Sequence, residues 1–282
     1  MTESSFLSRM AADSRARVTA ARAKEPEAAL LARAMATEPP PPLALTDFDL
    51  IAELKLRSPA EGVLASARLD QDAQLLEYAS GGVAAISVLT QASEFKGSME
   101  YLENAAALMR PRGVPVMRKD FLTDPYQVLE ARAAGAGGVL VIVTMLSDEA
   151  VGALLACARE SGLFVLLEGF DADDLERIPG LLPTDSASPV PPVLSGVNCR
   201  NLVSLEVDFE RFATLASHLP ERVPAIAESG VLGPEQIRRV ARLGYSGALV
   251  GSALMRSPEP RSAVRRLLAA GRAARAEDRA CS

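Results

Sequence analysis

GVLVIVTMLSDEAVGALLACARESGLFVLLEG, residues 138–169, holds two short apolar runs separated by one longer amphipathic stretch. GVLVIVT (138–144) and LFVLLE (163–168) are aliphatic on both faces, as strands covered on both sides must be. Between them, SDEAVGALLACARESG has the length and polar–apolar spacing of a helix, with Gly162 where a helix end favours a residue without Cβ. Strands buried on both faces and joined through a helix belong side by side in a parallel sheet.

Outward from this unit the alternation repeats. DLIAEL (49–54), VAAISVL (83–89) and VPVMRK (114–119) precede it, and PVLSGVN (192–198), VPAIAE (223–228) and GALVGS (247–252) follow. Helical stretches such as DQDAQLLEYASGG, MEYLENAAALMR and PYQVLEARAAG lie between them, and GPEQIRRVARLG (233–244) has Pro near its start and Gly244 at its end. Eight strands, each followed by a helix, predict a closed (β/α)8 TIM barrel with an N-terminal helical extension. The rival, a doubly wound open sheet, would ordinarily show a GxGxxG turn after its first strand, and the sequence has none.

The boundaries follow from composition. Residues 1–45 form an Ala/Arg-rich helical extension ending in the linker TEPPPPLAL, where four prolines stop the helix. Residues 46–275 make the catalytic barrel, and 276–282 a C-terminal tail. PGLLPTDSASPVPP (179–192) joins a helix to the next strand, so it falls on the stability face of the barrel and reads as a tolerated insertion.

A net charge of −6 and a pI near 5.1 argue against a nucleic-acid partner. No apolar stretch reaches the ~18 residues of a membrane span, and the N-terminus lacks the apolar core of a signal peptide. A cytoplasmic protein with no membrane partner is expected. Cys157, Cys199 and Cys281 are widely spaced and form no metal pattern, so reduced thiols and no metal site are expected. The single histidine, His218 in LASHLP, sits at a helix end. Histidine triads and HExxH zinc sites are thereby excluded, and proton transfer falls to Lys, Glu, Asp or Tyr.

Catalytic groups of such barrels come from the C-terminal ends of the strands. Those ends supply Glu53, Lys55 and Ser58, then Lys119 and Asp120, then Glu168. Strand six adds Asn198 and Arg200, strand seven Glu228, Ser229 and Gly230, and strand eight Gly251 and Ser252. Singly, each is a solvated strand end. Together they would meet in one mouth, where desolvation and mutual pairing shift their pKa values. ESG (228–230) and VGSALM (250–255) offer small residues whose backbone N–H groups can approach a phosphate, near the start of a short helix.

IAELKLRSPAEGV, SVLTQASEFKGS, PVMRKDF, LLEGFD, GVNCRNL, AIAESGV and LVGSALM occur in this order between residues 50 and 257. They resemble the successive motifs of the indole-3-glycerol phosphate synthase family of tryptophan biosynthesis. The resemblance implies a small phosphorylated substrate, 1-(2-carboxyphenylamino)-1-deoxyribulose 5-phosphate, closed to an indole with loss of CO2 and water. It implies no metal and no organic cofactor. By the same resemblance Lys119 is the general acid on the ketone, and Glu168 assists proton removal and dehydration. Glu53 takes part in dehydration or orients a lysine, Lys55 pairs with these acids, and Asn198 contacts the reacting centre. Ser58 holds substrate near the entrance, Arg200 steadies the binding loop, and Glu228 belongs to the substrate site. Phe95 lies against the anthranilate ring or packs in the core. Ser229, Gly230, Gly251 and Ser252 hold the phosphate.

The chain departs from the family pattern where it has Glu61, Gln91, Phe170 and Asn201. These positions carry none of the central roles. They leave substrate affinity, pH optimum and metabolic context open, including a copy serving a secondary-metabolite pathway; another phosphate-binding barrel enzyme and a barrel that binds without turnover are separate rivals. A monomer or weak homodimer is expected.

Overall fold

Eight strands lie within or at the edges of the apolar runs. They are β1 (Asp49–Leu54), β2 (Ala85–Leu89), β3 (Val116–Lys119), β4 (Gly138–Ile142), β5 (Phe164–Gly169), β6 (Val193–Asn198), β7 (Ala225–Glu228) and β8 (Gly247–Val250). In the computed structural model, which describes residues 6–58, 62–63, 70–182, 192–200 and 206–281, each pairs parallel with the next. β8 returns to β1, Ile51 opposite Leu249, and closes the barrel. The (β/α)8 architecture is therefore observed. The strands are shorter than some of the runs because ladder pairing, not hydrophobicity, ends them. Val143 and Thr144 turn into a 3-10 segment, and Ser252 starts a helix.

Two helices precede the barrel, α1 (Phe6–Lys24) and α2 (Glu27–Ala36). The rest are α3 (Gln71–Gly81), α4 (Ala92–Phe95), α5 (Met99–Met109), α6 (Pro125–Ala133), α7 (Asp148–Glu160) and α8 (Ala172–Leu181), followed by α9 (Arg211–Leu215), α10 (Pro234–Arg242), α11 (Ser252–Met255) and α12 (Pro260–Cys281). Local chemistry sets many of their starts: the side chains of Asp70, Ser98, Asp124, Ser147 and Asp171 each accept from a backbone N–H of the first turn. Gly162, at φ 73°, follows α7 in the left-handed conformation that a Cβ would strain. α12 continues through 276–281, the stretch read as a tail.

Burial is divided between two shells. Outward-facing Leu50, Ala52, Val139, Val141, Leu167 and Val197 pack under the helices. Inward-facing Ile51, Met117, Leu140, Phe164, Leu194 and Ile226 fill the barrel. That filling stops short of the C-terminal ends, where polar residues take the inward positions.

α1 does not simply lie outside the barrel. It is fastened to the loop after β3 and the start of α6: Ser14 bonds Gln127, Arg17 bonds Asp120 through both terminal nitrogens, and Arg22 does the same to Asp124. Its first residue, Phe6, meets Phe121 edge-on at 5.8 Å. The N-terminal helix is thus held at the rim of the face where the strands end. After β1, Arg57–Ser58 pairs antiparallel with Gly62–Val63. The Ser58 side chain, Glu61, Asn201 and residues 183–191 of the Pro/Ser-rich segment lie outside the described residues.

Candidate active site

Alternation along a strand decides which side chains reach the mouth. In β3, Met117 and Lys119 point inward while Arg118 points to the helices. In β5, β6 and β7 the same register brings Glu168, Asn198 and Glu228 inward at the strand ends. Lys119 Nζ lies 3.1 Å from Glu168 Oε2 and 2.7 Å from Glu228 Oε2. Asn198 donates from Nδ2 to the other oxygen of Glu168 at 3.1 Å, and its own Oδ1 accepts from the Arg200 N–H. At the end of β1, Lys55 Nζ lies 3.1 Å from Glu53 Oε1. Residues from β1, β3, β5, β6 and β7 thus form one charged cluster, with Glu53, Glu168 and Glu228 all buried.

Burial works against the Lys119 ammonium, but Glu168, Glu228 and Glu53 outweigh it and hold its pKa above the ordinary lysine value. Burial alone would also raise Glu53, yet Lys55 and Lys119 hold it below the ordinary glutamate value. Glu228 goes the other way. Burial pushes its carboxyl up to about 8, the charge of Glu168 adds to this, and Lys119 offsets only part of it. The cluster therefore favours a charged lysine and an ionised Glu53, with burial and Glu168 making Glu228 the carboxyl that takes up a proton most readily.

These groups line a cavity of about 850 Å³. Its other wall is apolar: Phe6, Phe95, Phe121, Leu140, Ile142 and Phe170 face it. Phe95 and Phe121 stack tilted, 6.2 Å between centroids. Ser229, Gly230, Gly251 and Ser252 line the same cavity, from adjacent loops. Ser229 and Gly230 both take left-handed φ, 67° and 68°. For a serine that conformation is uncommon and collects at functional turns. A charged floor, an aromatic wall and a rim of small residues suit a ligand that is part aromatic and part anionic.

The family model for indole-3-glycerol phosphate synthase matches residues 7–267. The chain belongs to the indole-3-glycerol phosphate synthase family. An indole-3-glycerol phosphate synthase from Kineococcus radiotolerans is 44% identical over 79% of this chain and 76% of its own length. One from Roseiflexus sp. is 39% identical over 93% of this chain and 97% of its own. Among solved structures, 3-hexulose-6-phosphate synthase from Salmonella typhimurium superimposes with a TM-score of 0.59 at 16% identity, covering 82% of this chain and 99% of that one. At that identity the likeness speaks for the barrel alone.

Within this synthase-family barrel, Glu53, Lys55, Phe95, Lys119, Glu168, Asn198, Arg200 and Glu228 all face the one cavity, as do the four small residues. Asp120 does not join the charged cluster, although the sequence groups it with Lys119. It borders the cavity, but its carboxylate is occupied by Arg17, Thr90, Arg118 and the Phe121 N–H. Of the departures from the family pattern, Gln91 caps α4 by accepting from Glu94 N. Phe170 forms part of the apolar wall, held by a hydrogen bond from its N–H to Asp174 and one from Arg211 to its carbonyl. Phe6, Leu7 and Phe121 also face the cavity without having been singled out from the sequence. Phe121 could have been found, since it sits in the motif PVMRKDF; Phe6 has no such local signal. No helix among the described residues is long and apolar enough to cross a membrane.

Proposed function

We propose that Lys119 is the general acid of a decarboxylating ring closure, with Glu168, Glu53 and Asn198 completing the chemistry. The chain carries out the reaction of its family, a carbon–carbon lyase step of tryptophan biosynthesis on a small phosphorylated substrate. In 1-(2-carboxyphenylamino)-1-deoxyribulose 5-phosphate, the ring carbon bearing the carboxylate attacks the ketone carbon. Lys119 gives its proton to the ketone oxygen as the new carbon–carbon bond forms. The bond to the carboxylate then breaks, CO2 leaves, and its electron pair restores the aromatic ring. The new hydroxyl leaves as water while the adjacent carbon loses a proton, which gives indole-3-glycerol phosphate.

Glu168 serves the dehydration, taking and returning protons from a position 3.1 Å from Lys119. Asn198 fixes its orientation. Glu53 holds Lys55, whose ammonium faces the cavity, and Glu228 keeps Lys119 aimed inward. Phe95 lies along the anthranilate ring beside Phe121 and Phe6. Backbone N–H groups of Ser229, Gly230, Gly251 and Ser252 take the phosphate, Arg200 steadies the loop after β6, and Ser58 helps to hold substrate near the entrance. The observation that carries this reading is Lys119 held between Glu168 and Glu228 opposite an aromatic wall.

A monomer or weak homodimer is part of this reading. Cytoplasmic placement accords with the unpaired thiols of Cys157 and Cys199. Adding the aminodeoxyribulose phosphate to the purified protein should produce indole fluorescence, with inorganic phosphate competing against substrate. Absence of indole formation under any buffer condition would overturn the assignment.

A further inference from the structure

Among the glycines with no room for a Cβ, two groups contrast. At Gly247 an added Cβ would stand 2.5 Å from the Asp49 carbonyl oxygen, and at Gly97 it would stand 2.2 Å from that of Leu89. Those neighbours are backbone and cannot move away. At Gly196 and Gly251 the nearest atom is the far end of an active-site carboxylate. A Cβ on Gly196 would lie 2.1 Å from Glu228 Oε1, and one on Gly251 would lie 2.6 Å from Glu53 Oε1. Each glycine is on the strand next to its glutamate or just beyond it, with Asn198 opposite Glu228 and Val250 opposite Ala52. Neither glycine has a φ that L side chains avoid; Gly251 is at −113°. Backbone freedom therefore does not explain them. The space above them does.

We propose that Gly196 and Gly251 are positioning residues for the reaction: the missing Cβ leaves a slot in the barrel wall in which the carboxylates of Glu228 and Glu53 lie, and so fixes where those carboxylates meet their lysines. This rests on the placement of the two acids in the proposed site. The Glu228 oxygen in its slot has no hydrogen-bond partner among the described residues, while the other oxygen meets Lys119 at 2.7 Å. The slot, and not a donor, holds that half of the group. With Glu53 the slotted oxygen is the one that pairs with Lys55 at 3.1 Å. A methyl at either glycine can be accommodated by a turn of the flexible glutamate, which is cheap for the fold. The same turn moves the carboxylate by about 0.9 Å at Gly196 before it reaches the 3.0 Å below which real contacts are not found. Displacements on the order of 1 Å at a reacting group cost up to about 10²-fold in rate.

The test is a double-mutant cycle on the full chain. Gly196→Ala should fold with nearly unchanged Tm, lose at least ~10-fold in kcat, and change KM by less than ~3-fold. Glu228→Asp, shorter by one methylene, should lower kcat alone. Combined with Gly196→Ala it should recover part of the loss, since the shorter side chain clears the new methyl. Gly251→Ala with Glu53→Asp forms the second cycle, and Gly247→Ala, with backbone in its path, should lose stability without rescue by any side chain. Wild-type kcat in Gly196→Ala, or losses that simply multiply in both double variants, would overturn the proposal. Failure of both alanine variants to fold would overturn it too, because it requires the neighbour to yield. If Glu228→Asp and Glu53→Asp are themselves silent, the fault lies with the assignment of the two acids and not with the slots.

Discussion

Arg118, Lys119 and Asp120 are consecutive, yet they belong to two charge clusters built on opposite principles. On the outer side of β3, Arg118 donates to Thr90, Asp120, Glu130 and the carbonyl of Gln127, all within 3.2 Å. Asp120 accepts from Arg118, Thr90, the Phe121 N–H and both terminal nitrogens of Arg17, and its side chain is 0% exposed. Burial disfavours the Asp120 charge, but Arg118 and Arg17 outweigh it and draw its carboxyl down to about 2. On the inner side, Lys119 is 15% exposed on a cavity, faces two carboxylates at once, and leaves one oxygen of Glu228 without a partner among the described residues. The outer cluster is saturated, which is how a buried ionic network stabilises a fold. The inner one lines the cavity with charged side chains that a substrate can meet, the arrangement expected of the proposed site.

If this contrast is right, mutations one residue apart should fail in different ways. Lys119→Met removes the proposed acid while preserving length and packing. Its kcat should fall by about 10²–10⁴-fold, with the unfolding midpoint little changed. Near wild-type turnover in steady-state indole fluorescence would show that the inner cluster is not the acid. Glu168→Gln keeps shape and should also fold normally with a severe loss of kcat. A fall in thermal stability in step with the fall in activity would instead place Glu168 with the saturated kind.

Asp120→Asn should show the reverse pattern. It takes away the carboxylate that the buried Arg118 and half-buried Arg17 share, leaving Arg118 with Glu130 and Arg17 with Asp13, and loss of one partner of a buried network costs up to about 3 kcal/mol. Urea unfolding should register that loss, while the folded fraction keeps kcat within a few-fold. The pH dependence gives the sign independently. Asp120 is drawn down from 3.8 to about 2, so its stabilising contribution is present above pH ~4 and is lost as pH falls through that window. Wild-type protein should lose stability between pH 4 and 2 more steeply than Asp120→Asn. Parallel acid curves would mean that the outer cluster contributes nothing of this kind.

The same strand shows what a sequence can and cannot reveal. The inward reach of Lys119, Glu168, Asn198 and Glu228 was legible because period-two alternation and strand ends are local properties, repeated eight times in order. That Asp120 turns to α1 was not legible, because its partner Arg17 is 103 residues away and no periodicity links the two. Proximity in sequence to Lys119 pointed to the wrong cluster. The slots at Gly196 and Gly251 were equally hidden. A glycine in a strand reads as turn chemistry or close approach, and only the coordinates say what approaches. The phosphate-side reading of Gly251 looked along its backbone N–H, whereas its absent side chain faces Glu53.

The smallest expected effect is at the edge of the contrast, where the saturated network meets the cavity. Arg17 anchors α1 to Asp120, and the first turn of the same helix brings Phe6 to the cavity wall against Phe121. The outer cluster thus places an aromatic side chain in the inner site from outside the barrel. An edge-on aromatic pair contributes about 0.5–1.5 kcal/mol beyond its buried area. Phe6 belongs to the apolar wall and not to the Lys119–Glu168–Glu228 cluster, so its removal should weaken binding of the anthranilate ring in ground and transition states alike. Phe6→Ala should therefore raise KM by about 2–10-fold with kcat nearly unchanged, since uniform binding is what it removes. Arg17→Met should raise KM in the same direction by loosening the helix that carries Phe6, and combining the two should add little. Full additivity would show that Arg17 and Phe6 act separately, and an unchanged KM in both would make α1 a covering of the barrel rim with no part in the site.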